Sequence, residues 1–414
     1  MALLLCAPFS AAGYSVLTHQ ANIDSTWEKC IVPLLQKRYP GADSVQLLEA
    51  KSYAYGGAII QDMGYYPFGS KLFTNLTHYV RSGDFVRNML SEARGRNEYA
   101  FALGALGHYA ADNSGHPEGT NKAMPLVYKD LQAKFGNSIT YDEAPVQHTQ
   151  LEFAFDVVQL ASGKYRSQDY HKYVGFHVSK ELLERAFEKT YGLKLGQVIA
   201  NVDLSISSYR FAVSSLIPTA ARAAWHSKRK EIQELSPGAR RRDYMRRTNR
   251  REYEKEFGDS YERPGFGARI VSYFIRVLPK IGPLRPFAFQ LPTPEAQTIF
   301  RSSFRKVISN YCASLSKEPS DTTRTGPRLA NTDFDTGHDT KAGEYPLADE
   351  TYGQWLRDLA KDKFARVTPL VRQNILTFYG DKPKTPRDPK EKEADKIKET
   401  QEALATLRTL KVQE

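Results

Sequence analysis

The sequence predicts an all-α, multi-helical domain that is followed by a helical, partly irregular C-terminal extension. From about residue 14 to residue 225, apolar residues recur at helical spacing in segments that end at glycine or proline. Long alternating strand patterns are scarce, and no internal repeat is visible. With 414 residues, 41% of them hydrophobic and 25% charged, the chain is long enough to bury one large core.

Four segments carry the helical prediction in order. These are WEKCIVPLLQKRYP, which stops at Pro40, the strongly apolar NEYAFALGALGHYAAD, the apolar HTQLEFAFDVVQLASG, and the amphipathic SKELLERAFEKTYG, which ends at Gly192. We place all four in one domain over residues 14–225.

The N-terminal residues 1–13, MALLLCAPFSAAG, are apolar and end in small residues, as a secretory signal peptide does, although the usual basic lead is missing. If this segment is a signal peptide, the protein is secreted or periplasmic. No apolar run reaches the roughly 18 residues that a membrane span requires, so we expect no transmembrane segment. Cys30 and Cys312 lie too far apart for their spacing to say whether they pair.

The C-terminal part divides by composition. Residues 226–265 are dense in Arg and Lys and predict a basic helical linker; residues 266–379 predict a helical region, and residues 380–414 a charged, mobile tail. Ile270, Val271, Phe274, Ile275 and Leu278 share one helical face with basic residues at its edges. This face suits an interfacial membrane helix, but packing on the core is the commoner case and the preferred interpretation.

The loop segment RLANTDFDTGHDTKAGEYPLAD, residues 328–349, is polar. Its aspartates suggest calcium, but the register of ligands and the closing Glu of an EF-hand are missing. We therefore predict a structured loop there.

The stretch GHYAADNSGHPEGTN places His108, Asp112 and His116 at successive intervals of four. Residues four apart on a helix share a face, and buried polar groups are costly unless they are paired. A single such histidine is usually an ordinary core or surface residue. Three ligand-type residues in register favour a metal site.

Other segments strengthen the metal hypothesis. His148 and Glu152 are also four apart on a predicted helix, and Asp62, His78 and His19 complete the set of polar candidates before residue 150. Nitrogen and oxygen ligands without cysteine are typical of catalytic zinc.

Taken as an ordered series, these residues resemble the trinuclear zinc site of the zinc-dependent phospholipase C family, whose superfamily also contains single-strand nucleases. The series is Tyr14, His19, Asp62, His78, His108, Asp112, His116, His148, Glu152. The resemblance covers about residues 14–225 and implies an all-helical catalytic domain with two to three Zn²⁺ ions.

By position, the resemblance assigns one zinc to Asp62, His78, His108 and Asp112, and a second zinc to His116, His148 and Glu152. Asp112 would also reach a third zinc, together with His19 and the backbone of Tyr14 after cleavage at Gly13. Well-known members have two more residues between the Asp and the following His, so the strict spacing of Asp112 and His116 is a departure from the family pattern.

The implied function is a zinc-dependent phosphodiesterase in which a metal-activated water attacks the phosphate, with Asp62 as the family-suggested general base. We favour a phospholipase C that hydrolyses the glycerol-phosphate ester of phospholipids with peripheral membrane contact, because Glu152 is the lipase-type residue at its position. A secreted single-strand nuclease stays open, since the net charge of +11 favours anionic partners such as nucleic acid. A non-catalytic, zinc-stabilised binding domain is the third alternative.

Three aromatic residues, Tyr65, Tyr66 and Phe68, follow Asp62 closely. They could line the mouth of a cleft, bind a cationic head group or stack a base. Ordinary packing is the default interpretation.

Overall fold

The computed structural model describes residues 15–162, 175–244, 288–319, 326–380 and 391–410. Within these ranges the secondary structure is helical and contains no strand, which confirms the predicted all-α class. None of the helices in the described ranges is both long and apolar enough to cross a membrane.

Thirteen α-helices lie in the described residues up to Tyr244. They are α1 Val16–Thr26, α2 Val32–Arg38, α3 Ser44–Gly57, α4 Lys71–Tyr79, α5 Ser82–Glu92, α6 Arg96–Gly115, α7 Asn121–Val127, α8 Lys129–Phe135, α9 Pro145–Ala161, α10 Lys180–Tyr191, α11 Leu195–Val198, α12 Val202–Phe211 and α13 Ile217–Leu235. Short 3-10 helices span Ile60–Tyr65 and Arg241–Tyr244, and π-helical turns span Trp27–Ile31, His116–Thr120 and Ala212–Leu216.

Four further helices follow in the described C-terminal ranges: α14 Pro294–Leu315, α15 Pro346–Lys361, α16 Pro369–Tyr379 and α17 Glu391–Thr409. Helix α14 packs against α1, α6 and α7, and α15 packs against α4. The Trp355 indole N–H on α15 donates a hydrogen bond to the Tyr191 carbonyl at 2.8 Å. One hydrophobic core therefore extends from Val16 on α1 to Leu407 on α17.

A disulfide bond joins Cys30 to Cys312, with their Cα atoms 5.6 Å apart. The bond ties the π-turn after α1 to helix α14, across 282 residues of sequence. Together with the continuous core, it attaches the C-terminal helices to the first part of the chain.

Helices α3 and α6 cross closely because glycines lie at their contact. A Cβ atom on Gly57 would meet the Phe101 carbonyl oxygen at 1.9 Å, and one on Gly104 would meet the Ala54 carbonyl oxygen at 2.1 Å. The two backbones can approach this far only without side chains at these positions. The crossing brings the end of α3 beside the middle of α6.

Several predicted segments lie wholly or partly outside the described residues. These are the N-terminal residues 1–13 and the apolar face from Ile270 to Leu278. Of the predicted linker, residues 226–244 are described, and α13 continues across residue 225. Within the predicted tail, residues 391–409 form α17, whose Leu404 and Leu407 are buried and pack on the core.

The glycine contact gives a stability prediction. We expect Gly104→Ala to destabilise the fold by about 1–3 kcal/mol, because the added methyl group forces α3 and α6 apart. The matched control is Gly196→Ala on α11, where a Cβ atom would meet nothing within 4 Å. Chemical denaturation of both variants measures the difference. Equal unfolding free energies for the two variants would contradict the close crossing.

Candidate metal centre

Two neighbouring segments bring Asp62 and His78 together. Asp62 lies in the 3-10 helix Ile60–Tyr65, and His78 lies in the last turn of α4. The Gly64 N–H donates to Thr74 Oγ1 at 2.8 Å, and Thr77 Oγ1 donates to the Gln61 carbonyl at 3.3 Å. These bonds hold the 3-10 helix on α4, so that His78 Nε2 lies 3.3 Å from Asp62 Oδ1.

His78 and His108 have the same tautomer. The Nδ1–H group of His78 donates to the Thr74 carbonyl at 2.8 Å, and that of His108 donates to the Ala58 carbonyl at 3.0 Å. In each neutral ring, Nε2 then carries the lone pair. The two Nε2 atoms face each other at 3.4 Å. Two lone pairs at this distance require a cation or a proton between them.

Asp112 is the centre of the arrangement. Its Oδ2 lies 3.0 Å from His108 Nε2, 3.5 Å from His78 Nε2 and 3.6 Å from His116 Nε2, and its Oδ1 lies 3.4 Å from His19 Nε2. One carboxylate thus contacts four imidazoles from α1, α4, α6 and the π-turn. Ligand atoms of Asp62, His78, His108 and Asp112 all lie within 4.8 Å of one another.

Most of these separations match those between ligands of one ion. With bonds of about 2.0–2.1 Å and tetrahedral angles, two zinc ligands are roughly 3.3 Å apart. Charge-assisted hydrogen bonds are shorter, at about 2.7–2.9 Å. The contacts at 3.3, 3.4 and 3.5 Å therefore fit shared coordination better than direct pairing.

A second group lies next to the first, where α6 ends. The π-turn begins at His116, and Pro117 has no N–H to continue the α-helical bonding, which accounts for the local widening. His116 still follows Asp112 by one turn, since its N–H bonds to the Asp112 carbonyl. Ligand atoms of His116, His148 and Asp335 lie within 4.8 Å of one another.

Asn121 orients His148 in the second group. The Asn121 side-chain amide donates to the Asp335 carbonyl at 2.8 Å, and its Oδ1 accepts from His148 Nε2 at 2.8 Å. His148 Nδ1 then carries the lone pair, and it faces Glu152 Oε1 at 2.8 Å. Glu152 therefore contacts His148, although it is not a member of the group that includes His116 and Asp335.

Buried polar atoms at the second group lack hydrogen bonds. They are both ring nitrogens of His116, Nδ1 of His148, both carboxylate oxygens of Glu152 and Oδ1 of Asp335. In the first group, Asp62 Oδ1 is also buried without a hydrogen-bond partner. Unpaired buried groups of this kind are rare in native proteins and call for a bound partner. The donor set of imidazoles and carboxylates is one that zinc accepts, so the residues fit the metal.

The pKa shifts at this centre differ in direction from group to group. Burial lowers the pKa of His148 to about 3, with a further contribution from His116, and burial raises the pKa of Glu152 well above its usual value. Burial opposes charge on Asp112 too, but the imidazoles of His108 and His19 hold its pKa well below the usual range. Divalent cations favour the ligand forms of these groups, which are neutral imidazole and ionised carboxylate.

His19 lies beside this centre on α1. Its ring stacks on His108 with centroids 4.4 Å apart. Asp156 on α9 holds the start of α1 by accepting from the Leu17 N–H at 3.0 Å and from Thr18 Oγ1 at 2.7 Å. Tyr14, the other predicted ligand of a third zinc, lies outside the described residues.

The centre is deeply buried. The predicted ligands among the described residues are at most 3% exposed: His19, Asp62, His78, His108, Asp112, His116, His148 and Glu152. Tyr65 and Tyr66 are also buried, in agreement with the packing interpretation, whereas Phe68 is 43% exposed. The structure thus brings the eight residues together, and their roles as ligands stay predictions.

Sequence reasoning missed Asp335. It comes from the polar loop for which no metal was predicted, and it lies in the structure against His116, with Asp335 Oδ1 3.4 Å from His116 Nδ1. The alternation Asp333–Phe334–Asp335 was the available signal. That pattern is common in exposed loops, and nothing local indicates that it packs near α6.

An all-α fold with clustered buried histidines and carboxylates is typical of a helical metal-binding protein with nitrogen and oxygen ligands. Residues 18–200 match the family model described as zinc dependent phospholipase C. The match over residues 18–200 supports the resemblance to this family that the ordered residue series predicted. No significant match was found among curated proteins or solved structures.

The central position of Asp112 gives a prediction about metal content. We expect Asp112→Asn to lower the amount of zinc bound per chain. An amide lacks the negative charge that offsets the ion, and Asp112 contacts members of both groups. The control is His226→Ala, an exposed histidine on α13. Elemental analysis after dialysis against dilute zinc measures both variants. Wild-type zinc content in Asp112→Asn would show that Asp112 is not a shared ligand.

Proposed function

We propose that the protein is a zinc-dependent phosphodiesterase, and specifically a phospholipase C that hydrolyses the glycerol-phosphate ester of phospholipids. The observation that carries the proposal is the contact of one buried carboxylate, Asp112, with four imidazoles inside a region of this family. Asp62, His78, His108 and Asp112 would hold one ion, and His116 and His148 a second. Bound zinc would offset the negative charge of the phosphodiester and lower the pKa of water.

The chain's own residues prepare the site in two ways. Backbone carbonyls of Thr74 and Ala58 fix the tautomers of His78 and His108, so both rings present Nε2 to the centre. Asp62 would be the proton acceptor, because it is the least buried member of the first group, at 3% exposed.

Two features support lipid as the substrate. Glu152, the lipase-type residue, is buried against His148. Phe68, six residues after Asp62, is exposed with a left-handed φ of 65°, a conformation that a bulky residue rarely adopts and that is typical of functional sites. The Pro67 carbonyl accepts a hydrogen bond from Ser208 on α12, one turn from the exposed Leu204. Phe68 and Leu204 would form a small apolar contact for the membrane surface.

An extracytoplasmic location is part of the proposal. The disulfide between Cys30 and Cys312 is of a kind that persists in oxidising compartments. The signal-like composition of residues 1–13 favours the same conclusion.

One observation favours the non-catalytic alternative. All described candidate ligands are at most 3% exposed, and closed sites are typical of structural rather than catalytic zinc. In that case the ions would stabilise a binding domain without turnover.

A substrate panel tests the proposed activity. We expect zinc-loaded protein to hydrolyse phosphatidylcholine and a soluble short-chain analogue, to lose activity with a chelator and to regain it with zinc. Single-stranded DNA and RNA belong in the same panel. Salt-sensitive cleavage of nucleic acid without hydrolysis of lipid would show that the protein is a nuclease and not a phospholipase C. Zinc binding without turnover of any substrate would establish the non-catalytic domain.

The membrane contact has its own prediction. We expect Phe68→Ser combined with Leu204→Ser to lower the hydrolysis of phospholipid vesicles while leaving that of a soluble short-chain substrate nearly unchanged, because the apolar contact area with lipid is lost. The control is Leu370→Ser, an exposed leucine on α16. An equal effect of the control variant, or no effect of the double variant on vesicles, would contradict the contact.

A further inference from the structure

We infer that Asp335 is a carboxylate ligand of the second metal ion, so that a segment outside the family-matched residues 18–200 completes the metal centre. This inference rests on the zinc binding of the proposed function. The segment is the loop of residues 331–338, which we call the aspartate loop.

The aspartate loop is fixed on α4 and α5. The Asp84 N–H donates to Asn331 Oδ1 at 2.9 Å, and Ser82 Oγ donates to the Thr332 carbonyl at 2.6 Å. The Phe334 N–H donates to the carbonyl of His78 itself at 3.2 Å. The Phe334 ring also contacts the His78 ring, with centroids 5.2 Å apart. The loop is therefore built against a member of the first metal group.

The two carboxylate oxygens of Asp335 differ in their surroundings. Oδ2 accepts hydrogen bonds from the Tyr141 N–H at 2.9 Å and from the Tyr345 hydroxyl. Oδ1 has no hydrogen-bond partner, although Asp335 is only 1% exposed. The two hydrogen bonds to Oδ2 thus orient the carboxylate so that Oδ1 faces the second group. A buried carboxylate oxygen without a hydrogen-bond partner is costly unless a cation compensates its charge.

The contact with His116 is not a hydrogen bond. Asp335 Oδ1 and His116 Nδ1 lie 3.4 Å apart, and neither atom has a hydrogen-bond partner. This separation is close to the roughly 3.3 Å expected between two ligands of one tetrahedral zinc. A carboxylate that only supported the imidazole from behind would accept a hydrogen bond from its N–H.

Asn121 connects Asp335 to the other histidine. Its side chain binds the Asp335 carbonyl and the His148 Nε2–H at 2.8 Å each. The same amide therefore fixes the backbone of the aspartate loop and the tautomer that points His148 Nδ1 inward. The second group is assembled from the π-turn, α9 and the aspartate loop as one unit.

Zinc titration of the purified full chain tests the inference. We expect Asp335→Asn to lose one equivalent of zinc or to bind it at least tenfold more weakly in competition with a chromogenic chelator, since even the loss of a supporting group costs 10- to 100-fold. The control is Asp333→Asn, because Asp333 Oδ1 accepts from the backbone N–H groups of Asp335 and Thr336, and an amide oxygen can do the same. Zinc binding by this control should equal that of the wild type.

A second variant tests whether residue 335 binds the metal directly, and it does so without an activity measurement. In a Cys6→Ser background, Asp335→Cys loaded with Co²⁺ should show a thiolate-to-metal charge-transfer band that the same background without Asp335→Cys lacks, because Cys30 and Cys312 are paired in a disulfide. Wild-type zinc affinity in Asp335→Asn, or bound cobalt without the band in Asp335→Cys, would overturn the inference while leaving the proposed function intact. A wild-type chain that binds no zinc would overturn both.

Discussion

The carboxylate of Asp112 imposes the main constraint on this fold. It is fully buried and lies 3.0–3.6 Å from the side chains of four histidines. Burying a charged carboxylate is costly unless opposite charge and hydrogen-bonding partners are brought to it. The chain brings these partners from separate elements, since His19 comes from α1, His78 from α4 and His116 from the π-turn. The packing of these helices is therefore tied to the chemistry at their centre.

The surrounding backbone determines which ring atoms face that centre. Ala58 lies directly after α3, and its carbonyl reaches His108 only because Gly57 and Gly104 let α3 and α6 approach closely. The glycines at this helix crossing thus help to determine the tautomer of His108, a candidate ligand. Substitution at the crossing should therefore disturb metal binding as well as stability.

Local periodicity made part of the centre predictable. His108, Asp112 and His116 lie one turn apart, as do His148 and Glu152, so each set could be placed on a helix face from the sequence. Placing the two sets together needed the family resemblance, because spacing within one helix carries no information about its neighbours. The helical class was predictable for the same local reason. The burial of the whole centre was not, since it depends on how all the helices pack.

Contacts between distant parts of the chain could not be predicted. The pairing of Cys30 with Cys312 spans 282 residues, and neither cysteine has a local pattern that names its partner. Asp335 lies 219 residues after His116 in a segment whose composition is that of an ordinary loop. Its position depends on bonds to α4 and α5 that form only when the C-terminal helices have docked.

The position of Asp335 also bears on the conflict between deep burial and catalysis. His116, His148, Glu152 and Asp335 together offer four protein donors, enough to close a tetrahedral site. A site closed in this way would be structural and would hold the C-terminal segment on the family domain. The first group also offers four protein donors, so the number of donors alone does not assign the chemistry to either group. Because Asp112 contacts His108 and His116 alike, a structural ion at the second group would also fix the carboxylate on which the first group depends.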